Sequence, residues 1–104
     1  MDDILTALDE VLAARKLASA EDSYVASLNA AGLNKILEKV GEETTEVILA
    51  AKDSVETGNT EALTHEVADL WFHLMVMLRH LDLDHTAVLP VSYTHLRAHE
   101  TRFY

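Results

Sequence analysis

Between Leu70 and Leu78 the chain reads Leu-Trp-Phe-His-Leu-Met-Val-Met-Leu, apolar at every position except His73. The stretch continues an apolar stripe of helical period, Leu63, Val67, Leu70, Leu74, Met77 and Leu81, and so predicts a helix whose second half has no polar face. A bilayer-spanning helix needs about 20 apolar residues, and this run is too short. It must therefore pack against other protein. A chain of 104 residues is one domain on a prior of about 100–200 residues each. That is too little core to surround such a helix, so a second copy is expected to cover part of it, giving a homodimer. The alternative is that the first helix and the chain's end do the covering.

The remaining elements are read from the same periodicity. Three glycines and one proline leave few sites for tight turns, and the expected class is all-α, a helical hairpin or bundle of four to five helices. Helix one is expected from about Asp2 to Leu17, with Ile4, Leu8, Val11 and Leu12 on one face. Asp2 and Asp3 suit its positive end, and Arg15 and Lys16 its last turn. Ser19 to Asp22 is a polar break, after which a short helix covers Asp22 to Ala30, stopped by Gly32. Helix three should start at Asn34 as N-cap and run to Thr57, with Gly58-Asn59 as its stop. Helix four starts at Thr60 as N-cap. The short link predicts that helices three and four pack as an antiparallel hairpin. Asp84 caps a last helix that Pro90 should end near Leu89. The division expected is a domain of residues 1–89 and an atypical tail of residues 90–104. The stretch Val91 to Thr101 resembles translated adaptor or vector sequence rather than native protein; the alternative is a genuine basic extension.

Charge narrows the partners. Eight Lys and Arg stand against 18 Asp and Glu, a formal charge of -10. Phosphate neutralisation by basic side chains supplies most nucleic-acid affinity, so no nucleic acid is expected. A polyphosphate would need a cation between itself and the protein. There is no cysteine, which excludes disulfides, thiolate metal sites and a thiol nucleophile. The acidic start, Met1-Asp2-Asp3, is unlike the basic start of a secretory signal. The expected setting is cytoplasmic, away from membranes.

The chemistry lies where the apolar pattern breaks. On helix three the core line runs Ile36, Val40, Glu43, Val47, Ala50 in steps of four, three, four and three, which puts Glu43 in a core position. A buried carboxylate is costly unless paired or bound to metal. Glu46 lies about 60° around the helix from Glu43, and Glu42 further out. On helix four, Glu66 and Asp69 each precede a core residue and share the flank of the apolar stripe. The hairpin can bring the two pairs to one level, since 19 residues separate Glu46 from Glu66. Four converging carboxylates repel without a cation, and hard oxygen donors suit Mg²⁺ or Mn²⁺. The plain alternative is four solvated acids on an acidic surface. Lys39, one turn before Glu43, is a candidate phosphate contact, although an ion pair with Glu43 or Glu42 is the simpler role. Lys35 shares that flank. Gly41 in mid-helix costs about 1 kcal/mol relative to Ala and would permit close approach by another backbone or a ligand. His73 lies two turns past Glu66 on the same edge, as a packed histidine or a substrate contact.

Glu42-Glu43-Thr44-Thr45-Glu46 followed by Glu66-Val67-Ala68-Asp69 resembles the E-E-x-x-E … E-x-x-D signature of the all-α, MazG-like nucleoside triphosphate pyrophosphohydrolases. The words Ser23 to Leu28, Lys35 to Glu43, Val47 to Lys52 and Ala68 to Leu74 are similar to the phosphoribosyl-ATP pyrophosphatase family in particular. The likeness covers about Met1 to Val88. Glu38 departs from it, standing where a second basic residue often appears. The resemblance implies Mg²⁺-dependent hydrolysis of phosphoribosyl-ATP to phosphoribosyl-AMP and pyrophosphate, the second step of histidine biosynthesis, by a dimer of helical hairpins. It implies Glu43, Glu46, Glu66 and Asp69 as metal ligands, and Glu42 as a supporting group or the water-activating base. Two rivals stand beside it: a house-cleaning (deoxy)nucleoside triphosphate pyrophosphohydrolase of the same fold, and a non-enzymatic helical interaction module.

Overall fold

The computed structural model describes residues 2–103, and the side chains of residues 4–100. The side chains of Asp2 and Asp3, expected to favour the first helix end, lie outside the described residues. Five helices follow in order, α1 Asp2–Lys16, α2 Tyr24–Ala31, α3 Leu33–Thr57, α4 Glu61–His80 and α5 His85–Phe103, with no strand among the described residues. The all-α class expected from periodicity is what the chain adopts. Among the described residues, no helix is long and apolar enough to cross a membrane.

The frame is the α3/α4 hairpin, the most extensive packing in the molecule, with α1 against α4 and α2, and α2 against α3. Gly58 closes α3 in the left-handed conformation (φ 73°), its N–H donating to the Ser54 carbonyl. A glycine adopts this backbone without the Cβ penalty that other residues meet. Several termini differ from expectation by a cap. α2 begins at Tyr24 rather than Asp22, because the Ser23 hydroxyl accepts the Ala26 N–H. α3 begins at Leu33, not at an Asn34 cap: Gly32 ends α2 and starts α3, leaving no side-chain cap between them. Thr60 occupies the N-cap position of α4 without capping it. The neighbouring Asn59 side-chain oxygen accepts the Glu61 N–H instead, at 2.9 Å.

The core is small: Leu12, Val25, Leu28, Ile36, Met75 and Val76, with Leu5, Leu8, Phe72 and Met77 packed against it. On α3 the expected line holds, with Ile36 and Glu43 buried and Val40, Val47 and Ala50 half-buried. On α1 the inward line is Leu5, Leu8 and Leu12, whereas Ile4 and Val11 are exposed. The expected face was turned by about one residue. On α4 the expected stripe is only half-buried and Leu81 is exposed, while His73, Met75 and Val76 are buried. Wedged between α1 and α3, α4 centres its inward sector on Val76, and Trp71 is left 60% exposed.

The largest correction concerns the chain's end. Pro90 does not stop the last helix; α5 runs through it as one element. A proline in a helix interior removes one hydrogen bond and crowds the preceding turn, at about 3 kcal/mol, and here the flanking residues carry the helix on. The start is as expected: Asp84 Oδ1 accepts the Thr86 N–H at 2.9 Å. Residues 86–100 are nevertheless all exposed, so α5 has helical form but little packing.

Candidate functional site

Helix three carries Glu43 into the hairpin because its position belongs to the apolar line, and the residue is 7% exposed. Glu46, one turn on, and Glu66, across on α4, bring their carboxylates to the same place. One oxygen from each of Glu43, Glu46 and Glu66 lies within 4.8 Å of the others. Two of these groups have a buried oxygen, Glu43 Oε2 and Glu66 Oε2, without a hydrogen-bond partner in the chain. Buried polar atoms are nearly always partnered, so this pair is an anomaly that a bound cation would resolve.

The electrostatics say the same. The Glu43 carboxyl is pushed above its ordinary range, first by burial and then by the Glu46 charge, with Asp69 adding to it. Glu66 is also pushed up, first by the hydrogen-bonding approach of the Glu46 carboxyl, then by desolvation and the charges of Glu46, Glu43 and Asp69. Crowded carboxylates resist simultaneous ionisation. Three hard oxygen donors at this separation suit a small divalent cation such as Mg²⁺.

The other sequence candidates fall around this set. Asp69 is exposed and stands outside the three, although its charge is felt at both Glu43 and Glu66. Glu42 is exposed and accepts from Lys39 Nζ at 3.1 Å. That bond is the main reason the Lys39 pKa is raised, and of the two ion pairs the sequence offered for Lys39, with Glu43 or with Glu42, the structure forms the i,i+3 one. Lys35 lies 3.8 Å from Glu38. Apart from its chain neighbours and its own helix backbone, no described atom lies within 4 Å of where a Cβ on Gly41 would sit, so no other element approaches that backbone closely.

His73 is 5% exposed and both its ring nitrogens are engaged inside the protein. Nδ1 donates to the Asp69 carbonyl at 2.8 Å, and Nε2 lies 2.9 Å from the Tyr24 hydroxyl. A carbonyl only accepts, so in the neutral ring Nδ1 holds the proton and Tyr24 donates to Nε2. Edge contacts with Phe72 and Tyr24 fix the ring further. The structure thus gives the packed, hydrogen-bonded histidine of the two roles the sequence offered, and its partner Tyr24 is half-exposed and presents the outer end of the pair. Sequence reasoning missed the pairing of Tyr24 with His73. Tyr24 lies 49 positions from His73, and no spacing rule links a residue at the start of one helix to the middle of another.

The profile of the family described as phosphoribosyl-ATP pyrophosphohydrolase matches residues 5–91. A protein of Hydrogenovibrio crunogenus named phosphoribosyl-ATP pyrophosphatase is 55% identical over 87 residues, covering 84% of this chain and 77% of that protein. Both the carboxylate set and the Tyr24–His73 pair fall inside the matched span. With the match extending over most of its length, the chain belongs to the phosphoribosyl-ATP pyrophosphohydrolase family.

Proposed function

We propose that this protein hydrolyses phosphoribosyl-ATP to phosphoribosyl-AMP and pyrophosphate, in histidine biosynthesis, with Mg²⁺ as its cofactor. The observation that carries the reading is the converging carboxylate set of Glu43, Glu46 and Glu66, with a buried unpartnered oxygen on Glu43 and on Glu66, in a member of this family. The name of the Hydrogenovibrio relative supports the substrate. Three anionic oxygens in a hydrophobic hairpin are arranged to hold a cation, and nothing about them would hold a triphosphate directly.

When bound, a divalent cation offsets the triphosphate charge and lowers the pKa of a water. Glu43, Glu46 and Glu66 would hold the cation, and Mn²⁺ would suit the same donors. Asp69, exposed and outside the three, adds its negative charge to theirs. Glu42 is accessible and directed by Lys39, as a water-activating base or a group that orients one. Water attacks the α-phosphorus, the bond to the α–β bridging oxygen breaks, and pyrophosphate leaves with that oxygen. The protein works as a homodimer in the cytoplasm: the half-covered α4 with its exposed Trp71 supports an interface between copies.

The test is pyrophosphate release with Mg²⁺ from phosphoribosyl-ATP, ATP and a panel of deoxynucleoside triphosphates, with EDTA as control. Release from phosphoribosyl-ATP, abolished by EDTA, is the expected result. Release only from deoxynucleoside triphosphates would move the protein to pool cleaning, and no cation effect on activity or melting would leave a helical interaction module.

A further inference from the structure

Glu43 Oε2 is buried without a partner, although two nitrogen-bearing side chains stand near it. Lys39, one turn earlier on α3, donates to Glu42 instead, at 3.1 Å. The other is His73 on α4. Glu46 and Glu66 meet across the hairpin, so one turn back along α3 corresponds to one turn forward along α4. Glu43 is thereby level with Asp69, and His73 lies four residues further along α4, about 6 Å. Helical side chains lean toward the N-terminus of their own helix. Glu43 therefore leans toward the level of His73, and His73 leans back toward Glu43. Both residues are buried. Against burial and the neighbouring carboxylates, which raise the Glu43 pKa, His73 acts to lower it.

What keeps His73 from Glu43 is its own pairing. Nδ1 donates to the Asp69 carbonyl at 2.8 Å, and the Tyr24 hydroxyl donates to Nε2 at 2.9 Å. A ring nitrogen that accepts carries no proton, so this imidazole has nothing to give a carboxylate. We propose that Tyr24 is a positioning residue for the cation site: its hydroxyl occupies Nε2 of His73, the imidazole is kept from pairing with Glu43, and the carboxylate is left to the cation. The assignment rests on the proposed Mg²⁺ site and adds the reason why that site stays open.

Tyr24 is held in place by more than this bond. The Ser23 hydroxyl accepts the Ala26 N–H and sets Tyr24 as the first residue of α2. The Tyr24 ring stacks on Phe72 at 6.3 Å between centroids and meets His73 edge-on at 5.8 Å. Those contacts need the ring and not the hydroxyl, so Tyr24→Phe removes one hydrogen bond and keeps the packing. Without the hydroxyl, Nε2 of a buried histidine has lost its partner beside a buried carboxylate oxygen that has none. Buried polar atoms are nearly always partnered. The neutral ring then carries its proton on Nε2 and donates it to Glu43. A carboxylate bonded in this way binds a cation less tightly, because that bond must first be given up.

The test is Mg²⁺ binding to the full chain by calorimetry, with melting in EDTA beside it. Tyr24→Phe should weaken Mg²⁺ about tenfold, the low end of what losing an outer partner of a metal site costs. Its melting temperature in EDTA should be kept or raised, because Glu43 gains a partner. The double variant Tyr24→Phe/His73→Leu should bind Mg²⁺ as tightly as His73→Leu alone, since no imidazole is left to compete; this coupling is what a double-mutant cycle reads. Nitrogen-15 NMR of the wild-type histidines should show His73 with its proton on Nδ1, a reading that needs no variant to fold. Wild-type Mg²⁺ affinity in Tyr24→Phe would overturn the proposal and leave the pair a packing contact. A weakening that persists in the double variant would overturn it too, since Tyr24 would then act by another route, and so would a proton found on Nε2. A wild-type protein that binds no Mg²⁺ would refute the cation site and this role together, whereas one that binds Mg²⁺ and fails only the variant tests would refute this role alone.

Discussion

Glu43 is the residue on which the site turns. It is buried on a line of hydrophobic positions, with one oxygen unpartnered, and Glu46 and Glu66 press on it from two sides. Such a group destabilises the metal-free fold and is stabilised when a cation arrives. Glu43→Gln and Glu66→Gln should therefore keep or raise the melting temperature in EDTA. Both should lose the rise produced by Mg²⁺, which follows from mass action on the folded state, and both should lower turnover at least 100-fold. Thermal melts with and without Mg²⁺, together with pyrophosphate release, check this; near-normal turnover in both variants would refute the carboxylate set as the cation site. The pKa directions give a second prediction. A glutamate with a raised folded pKa keeps its proton in the folded chain where the unfolded chain has lost it. Its contribution is present at pH below the ordinary glutamate value of about 4.3 and is lost as pH rises through the raised value. Glu43 and Glu66 are both of this kind. The gap between melting temperatures in Mg²⁺ and in EDTA should widen from pH 5 to pH 8, and should stay flat in Glu43→Gln.

At the scale of elements, α3 and α4 carry the converging carboxylates and α5 is the least packed element. Gly41 lies within α3 with open space beside it. Gly41→Ala should raise the melting point of the isolated chain, by up to about 1 kcal/mol of stability. If the substrate passes close to that backbone, activity will fall while stability rises, and the two readouts separate the roles. α5 has all of residues 86–100 exposed, and the family profile ends at residue 91. Removal of residues 92–104 should therefore change stability by less than about 0.5 kcal/mol, the usual range for surface changes. A melting shift above about 4 °C, the scale of 1 kcal/mol in a domain of this size, would show that α5 has a packing role.

At the scale of the whole molecule, the chain is loose for its mass. Its radius of gyration is 16.0 Å, against about 13 Å for a compact domain of 100 residues. Its accessible surface is 7461 Å², where a compact monomer of 11.5 kDa would expose about 5800 Å². Part of the excess is α5, and part is apolar surface beside α4: Trp71 lies next to a cavity of about 210 Å³ bounded by Leu5, Leu74, Leu78 and Val88. Burial of that surface between two copies would bring both measures toward ordinary values. Light scattering across a concentration series should give a dimer mass, and Trp71→Glu should shift it toward monomer without disturbing the helical content. A wild-type monomer at high concentration would mean that the surface is covered otherwise.

The sequence by itself determined the helices and which acid the hairpin buries. Period-3.6 patterning and the scarcity of glycine and proline placed α1 to α4 within two residues or so, and its place on the apolar line of α3 marked Glu43 as a buried acid. These are local properties, written in the spacing of residues along one helix. Tertiary structure decided what spacing cannot express. It rotated α1 so that Leu5 rather than Ile4 faces inward, because the neighbouring helices, not the apolar sector, choose the contact line. It carried α5 through Pro90, where the local penalty is real but finite. It chose Glu46 and Glu66 as the close partners of Glu43. It also brought Tyr24 onto His73 across 49 positions, since such a contact depends on how α2 packs against the hairpin, and that packing has no signature in either segment alone.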